Sequence, residues 1–76
     1  MVGIMDAMLE QAKQAARASR GESWRLDEKL SEGEIDLPNH LPIRMWIFTM
    51  KHKTQGHMGY EIVIWNRTRF VSIEMQ

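Results

Sequence analysis

The spacing of apolar residues changes once along the chain, and the change separates a helical part from a stranded one. Between residues 3 and 20, Ile4, Met5, Met8, Leu9, Ala12, Ala15 and Ala16 recur three and four positions apart. That spacing lines one face of an α-helix. The residue types agree, because Ala, Leu, Met, Gln, Lys and Arg are strong helix formers. Asp6 and Glu10 lie toward the positive end of the helix dipole, and Lys13, Arg17 and Arg20 toward the negative end. Gly21 follows the last turn and can take the left-handed conformation that closes a helix. The stripe narrows from large side chains to alanines, so a neighbour can approach its second half closely. An amphipathic helix ordinarily buries its stripe on its own sheet; a helix–helix contact between two copies is the alternative.

From residue 43 the pattern becomes that of strands. Residues 45–50 are almost continuously apolar, which suits a strand covered on both faces. Residues 52–58 contain Gly56 and read as a loop, with Lys51, His52, Lys53 and His57 around it. Residues 59–76 hold two runs of β-branched and aromatic residues on either side of Asn66, Arg67 and Thr68, which is a hairpin signal. With a two-residue loop at Asn66 and Arg67, Trp65 faces Thr68, Val63 faces Phe70 and Glu61 faces Ser72. Tyr60, Ile62 and Ile64 then share the opposite face with Arg69, Val71, Ile73 and Met75. This second set is nearly all apolar and is expected to be the core face. The first set is mixed, yet it holds Val63, Trp65 and Phe70, whereas a solvated face alternates to polar residues. Joined by Trp46 or Phe48, it calls for a cover from residues 22–37, a second copy or a partner. A three-residue loop would shift the register by one and exchange part of these faces.

Residues 22–42 form an acidic connector. Ser23 can cap a short helix over 23–31, with Leu26 and Leu30 on one side and Trp24 near its start. The alternative is extended chain in which Trp24 and Leu26 alternate with polar neighbours. Gly33 ends either element, and Ile35 and Leu37 alternate with Glu34 and Asp36 as in an edge strand. Pro38, Asn39, His40, Leu41 and Pro42 make a turn. The expected fold is α+β: one domain over 1–76, with a helix over 3–20 packed on a three-stranded antiparallel meander of 43–51, 59–65 and 68–75.

Totals sharpen this picture. Seventy-six residues bury a limited fraction of their surface. Without cysteine there is no disulfide staple and no thiolate metal ligand. A homodimer or a partner-bound form is therefore expected. Net charge is zero, but it is split: residues 1–37 carry five basic and eight acidic side chains, residues 38–76 five and two. No apolar run reaches the length of a membrane span, and Asp6 and Glu10 interrupt any leader-like start, so a cytoplasmic protein with no membrane partner is expected.

Motifs for chemistry are missing. Gly56 and Gly59 lack the spacing and lysine of a phosphate loop. Ser19, Ser23, Ser31 and Ser72 have no histidine and acid in a local motif. His40, His52 and His57 lack zinc-site spacing, and Asp27, Glu28, Glu32, Glu34 and Asp36 lack that of a calcium loop. No catalytic residue, metal or cofactor is expected, and the protein is read as a non-enzyme.

Two functions follow. The first is a regulator or inhibitor that binds another protein, with Trp46, Phe48, Trp65 and Phe70 as aromatic anchors. Glu28, Glu32 and Glu34 would then occupy a basic groove of the kind nucleic acid uses. Compact accessory proteins of phages and mobile elements share this profile. The second is a nucleic-acid-binding module in which Arg44, Lys51, Lys53, Arg67 and Arg69 hold phosphates beside stacking aromatics. Five basic residues on strand ends are also what an ordinary solvated sheet carries.

Overall fold

The computed structural model describes residues 4–75. The first apolar stripe folds as expected: helix α1 spans Ile4–Arg20. Gly21 closes it with φ +93°, and its N–H donates to the Arg17 carbonyl at 2.9 Å. Ala12 and Ala16 are fully buried, and Met8, Leu9 and Ala15 pack beside them. Ile4 and Met5, at the head of the stripe, lie outside the residues whose side chains are described, and Gly3 and Gln76 outside the described chain.

The sheet has four strands, not three. Strands β1 (Trp24–Ile35), β2 (Ile43–His52), β3 (Met58–Trp65) and β4 (Phe70–Met75) form an antiparallel meander in sequence order. The short helix expected over 23–31 is replaced by β1, which pairs with the whole of β2 from Trp24↔His52 to Ile35↔Ile43. Register jumps between Leu26 and Glu28 and between Lys29 and Ser31 mark two bulges. Each inserts a residue into the two-residue alternation, which is why the strand is hard to see in sequence. Its pairing also satisfies the outer backbone edge of β2, the one strand with no exposed residue.

The β3–β4 turn differs from the expected two-residue loop. Trp65 pairs with Phe70, leaving residues 66–69 as the loop. The Asn66 side-chain carbonyl accepts from the N–H groups of Thr68 and Arg69, both at 3.0 Å. Arg67 takes a left-handed φ of 74°. Val63 therefore faces Ser72 and Glu61 faces Glu74, and Arg69 falls outside the strand. The register moves by two, an even number, so the division of β3 and β4 into two faces survives.

The choice of core face is reversed. The helix covers the mixed face, not the apolar one. Trp46, Phe48, Met50 and Val63 are fully buried beneath Ala12 and Ala16, with Trp24, Leu26, Trp65 and Phe70 around them. Trp46 and Trp65 contact Phe70 at ring centroid distances of 5.9 and 4.8 Å. The alanines explain the choice: they leave space beneath the helix that large aromatic side chains fill. The molecule is 19 Å along its thinnest direction, which is one helix on one sheet. The second side of the sheet has nothing over it among the described residues.

Candidate interaction face

The uncovered side follows from pleat and register. Facing residues across the strands share a side, so Ile43, Met45, Ile47, Thr49 and Lys51 of β2 lie with Met58, Tyr60, Ile62 and Ile64 of β3. Val71, Ile73 and Met75 continue the surface on β4, and Ile35 adds to it from β1. Four of these are about half exposed: Met58, Tyr60, Ile73 and Met75. The rest are partly buried, and Thr49 is buried. Toward β1 the surface turns polar, through Arg25, Glu28 and Ser31. At the Ile43 end lies a hollow of about 510 Å³ that takes in exposed Leu37 and Leu41 together with His40, Asn66 and Arg67.

What fixes the orientation of this face is a charge pair on the other side. Arg20, the last residue of α1, reaches fully buried Glu61 with Nε 2.8 Å from Oε1. The Ser72 hydroxyl donates to Oε2 of the same carboxylate at 2.5 Å. Arg20 Nη2 also donates to the carbonyls of Tyr60 and Met75, at 2.9 and 3.0 Å. Its guanidinium lies over the Trp24 ring at 4.6 Å. A Cβ on Gly59 would stand 2.5 Å from Nη2, so only glycine leaves the arm room. The helix end is thus bound to β3 and β4 on the side away from the open face.

A second cluster holds β1 to β2. Glu32 accepts from Lys29 Nζ at 2.7 Å and from Trp46 Nε1 at 2.9 Å, with Arg44 Nη2 at 3.6 Å. The Lys29 hydrogen bond holds its carboxyl below the usual range; partial burial opposes this, while Trp46 and the charges of Lys29 and Arg44 add to it.

The residues singled out in the sequence fall into several places. Trp46 and Phe48 are sealed in the core, and Trp65 and Phe70 are partly buried under the helix. They are packing residues of this fold, and the open face carries none of them. Glu32 is spent on Lys29, Arg44 and Trp46, whereas Glu28 and Glu34 are exposed on edge strand β1. The basic residues divide between the two ends of the sheet. Lys51 lies at one end of β2 with Lys53 in the turn beyond it; Arg44, Arg67 and Arg69 lie at the other, roughly 23 Å away along the strand. Arg25, opposite Lys51, and Arg17, which shares a hollow of about 320 Å³ with Trp24 and Lys53, join the first end. Among the described residues none of Arg17, Arg25, Lys51 and Lys53 is in an ion pair. His52 Nδ1 accepts from the N–H groups of Thr54 and Gln55 in the β2–β3 turn. No three metal-ligating side chains come together among the described residues.

No protein-family model, curated protein or solved structure matches the chain. No helix among the described residues is long and apolar enough to cross a membrane. The reading of function therefore rests on the open face.

The alternation of β3 and β4 marks that surface as a set, and its apolar character makes it the expected core face, which the helix does not cover. Side-chain size would have corrected the assignment. A helix whose buried stripe is alanine fits over tryptophan and phenylalanine, and the isoleucine face has no complement of that kind in this chain.

Proposed function

We propose that the protein works by binding rather than by catalysis, as a small regulator or inhibitor, and that the open sheet face is where another polypeptide docks. The observation that carries this is the apolar surface of β2, β3 and β4 facing away from the only helix among the described residues. Its anatomy is that of an interface, an apolar centre with a polar rim. The anchors are Tyr60, Ile62, Ile73 and Met75 in place of the buried Trp46 and Phe48. Exposed Glu28 and Glu34 sit on β1, whose outer edge has no strand beside it among the described residues and can receive one. The test uses Ile62→Lys and Ile73→Lys chains, checked for native circular dichroism, against partners captured by the wild-type chain from its native host. Loss of capture is expected. A charged face that retains every partner overturns the reading.

A specific observation also keeps nucleic acid in play at one end. Arg25 and Lys51 stand directly opposite each other on neighbouring strands, a like-charge pairing that costs stability unless an anion relieves it. With Lys53 in the turn beyond β2 they would hold phosphates at this end of the open side, while Arg17 and Trp24 stand on the helix side of the sheet. Salt-sensitive binding of short single strands that vanishes in a Lys51→Ala, Lys53→Ala chain and survives Arg67→Ala, Arg69→Ala is the expected signature. Equal loss from both pairs would sink this version.

A further inference from the structure

We infer that the polypeptide occupying the open face is a second copy of this chain, packed sheet against sheet about a two-fold axis. The inference rests on the reading of that face as an interface and adds what covers it. Three observations favour a copy over an unrelated chain.

The first is extent. The three apolar strands, about 4.8 Å apart and about seven residues long, present roughly 14 by 23 Å, on the order of 330 Å² before the relief of the side chains and the polar border of β1 are counted. Interdigitated side chains enlarge that toward the roughly 600–1,000 Å² that each partner of a specific complex contributes. A 76-residue chain without a disulfide otherwise leaves this apolar area in water.

The second is self-complementarity. The central row across the sheet is Ile47, Ile62 and Ile73, which are mutual neighbours by register. Above and below lie Met45, Ile64 and Val71 on one side and Thr49, Tyr60 and Met75 on the other, the Thr49 hydroxyl being already bonded to Asp27. Branched and flexible apolar side chains of similar length can interdigitate with an identical set, as the two inner faces of a β-sandwich do. No acidic or basic group interrupts these three rows on β2, β3 or β4; Lys51, opposite Met58, stands one row beyond them at the end of the face, where its long side chain can keep its charge in water.

The third is the placement of charge and polarity around it. An axis running along the strands would set polar Arg25, Glu28 and Ser31 of β1 over apolar Val71, Ile73 and Met75 of β4. An axis running across the strands, along the central row, sets β4 on β4 and β1 on β1. It also carries the basic Arg25 and Lys51 end of one copy to the far end of the other, where Asp36 follows β1. Only the second arrangement buries apolar on apolar and keeps the two basic ends apart. It brings Ile73 of each copy close to Ile73 of the other, and the helices face outward.

The test is sedimentation equilibrium or light scattering on the full chain from low to high micromolar concentration. A species of twice the 8.9 kDa chain mass is expected for the wild type. Ile73→Lys and Ile73→Asp chains, each folded by circular dichroism, are expected to dissociate at least tenfold more readily. Mixed one to one, they are expected to regain the double mass, because opposite charges then meet across the axis. The rescue separates lost association from lost folding. A wild-type chain that stays at single mass overturns the inference and leaves the docking face to a different protein, which the capture experiment reads separately. A dimer untouched by Ile73→Lys overturns it too, and if a soluble paramagnetic probe still reaches the Ile62 and Ile73 methyl groups in that dimer with captured partner present, the reading of the face falls as well.

Discussion

Two side chains of this small protein are held in ways that can be measured one residue at a time. Glu61 is fully buried and its charge is answered by Arg20 at 2.8 Å and by the Ser72 hydroxyl. Removing one partner of such a pair leaves the other charge in a medium that cannot solvate it. Glu61→Ala is therefore expected to cost about 3–5 kcal/mol in urea unfolding. The paired change Arg20→Met with Glu61→Leu, similar in volume and without charge, is expected to recover most of that loss. A single and a double variant of equal stability would show that the pair does not act as a unit. Glu32 makes a prediction of opposite kind, one of pH. Its pKa is lowered in the fold, first by the hydrogen bond from Lys29. A depressed carboxylate stabilises the fold above its unfolded value, about 4.3, and the contribution is lost as pH falls through the lowered folded value. Wild type should exceed Glu32→Gln in unfolding midpoint at pH 7, and the gap should close in acid below about pH 4. A gap independent of pH would mean that Glu32 acts through packing alone.

At the scale of elements, legibility followed how unbroken each pattern was. Helix α1 has its apolar spacing, its charge gradient and its glycine cap in agreement, and it forms as read, Ile4–Arg20. Strands β2, β3 and β4 have continuous or alternating apolar residues and appear close to their expected bounds. Strand β1 alternates only at its two ends, at Trp24 and Leu26 and again near Ile35. Two bulges shift its phase, so Trp24 and Leu26 point to the core while the rest of the strand is mostly polar and exposed. Its continuity is a tertiary fact: the extended alternative is legible at Trp24 and Leu26 and around Ile35, and pairing with β2 joins those ends across the polar middle. The β3–β4 loop shows the limit of turn chemistry. Asn66 does start the turn, but its side chain closes an Asx-type loop over Thr68 and Arg69, and residue types alone do not distinguish this from a two-residue turn. The division of β3 and β4 into faces was legible; which face met the helix was not, because both are apolar enough to be a core.

At the scale of the whole molecule, the two faces of the sheet must answer differently to substitution if the outer one binds a second copy. Phe48 is sealed under the helix, and Phe48→Ala should cost about 3–5 kcal/mol whatever the protein concentration. Ile73 is about half exposed in one chain. In dilute solution, where the chain is alone, Ile73→Lys should change stability by no more than about 0.5 kcal/mol, as ordinary surface substitutions do. At high concentration the wild type gains from association what the variant cannot. When the concentration reaches about a hundred times the dissociation constant, that gain is about 2.7 kcal/mol. For a domain of this size it corresponds to a rise in melting temperature on the order of 10 °C. Thermal unfolding of both variants and the wild type, repeated across a hundredfold range of concentration, therefore separates the faces. The wild-type and Phe48→Ala midpoints should climb together and the Ile73→Lys midpoint should stay level. If all three remain level, the open face is not satisfied by this chain's own copy. Its apolar surface is then held for a partner of different sequence.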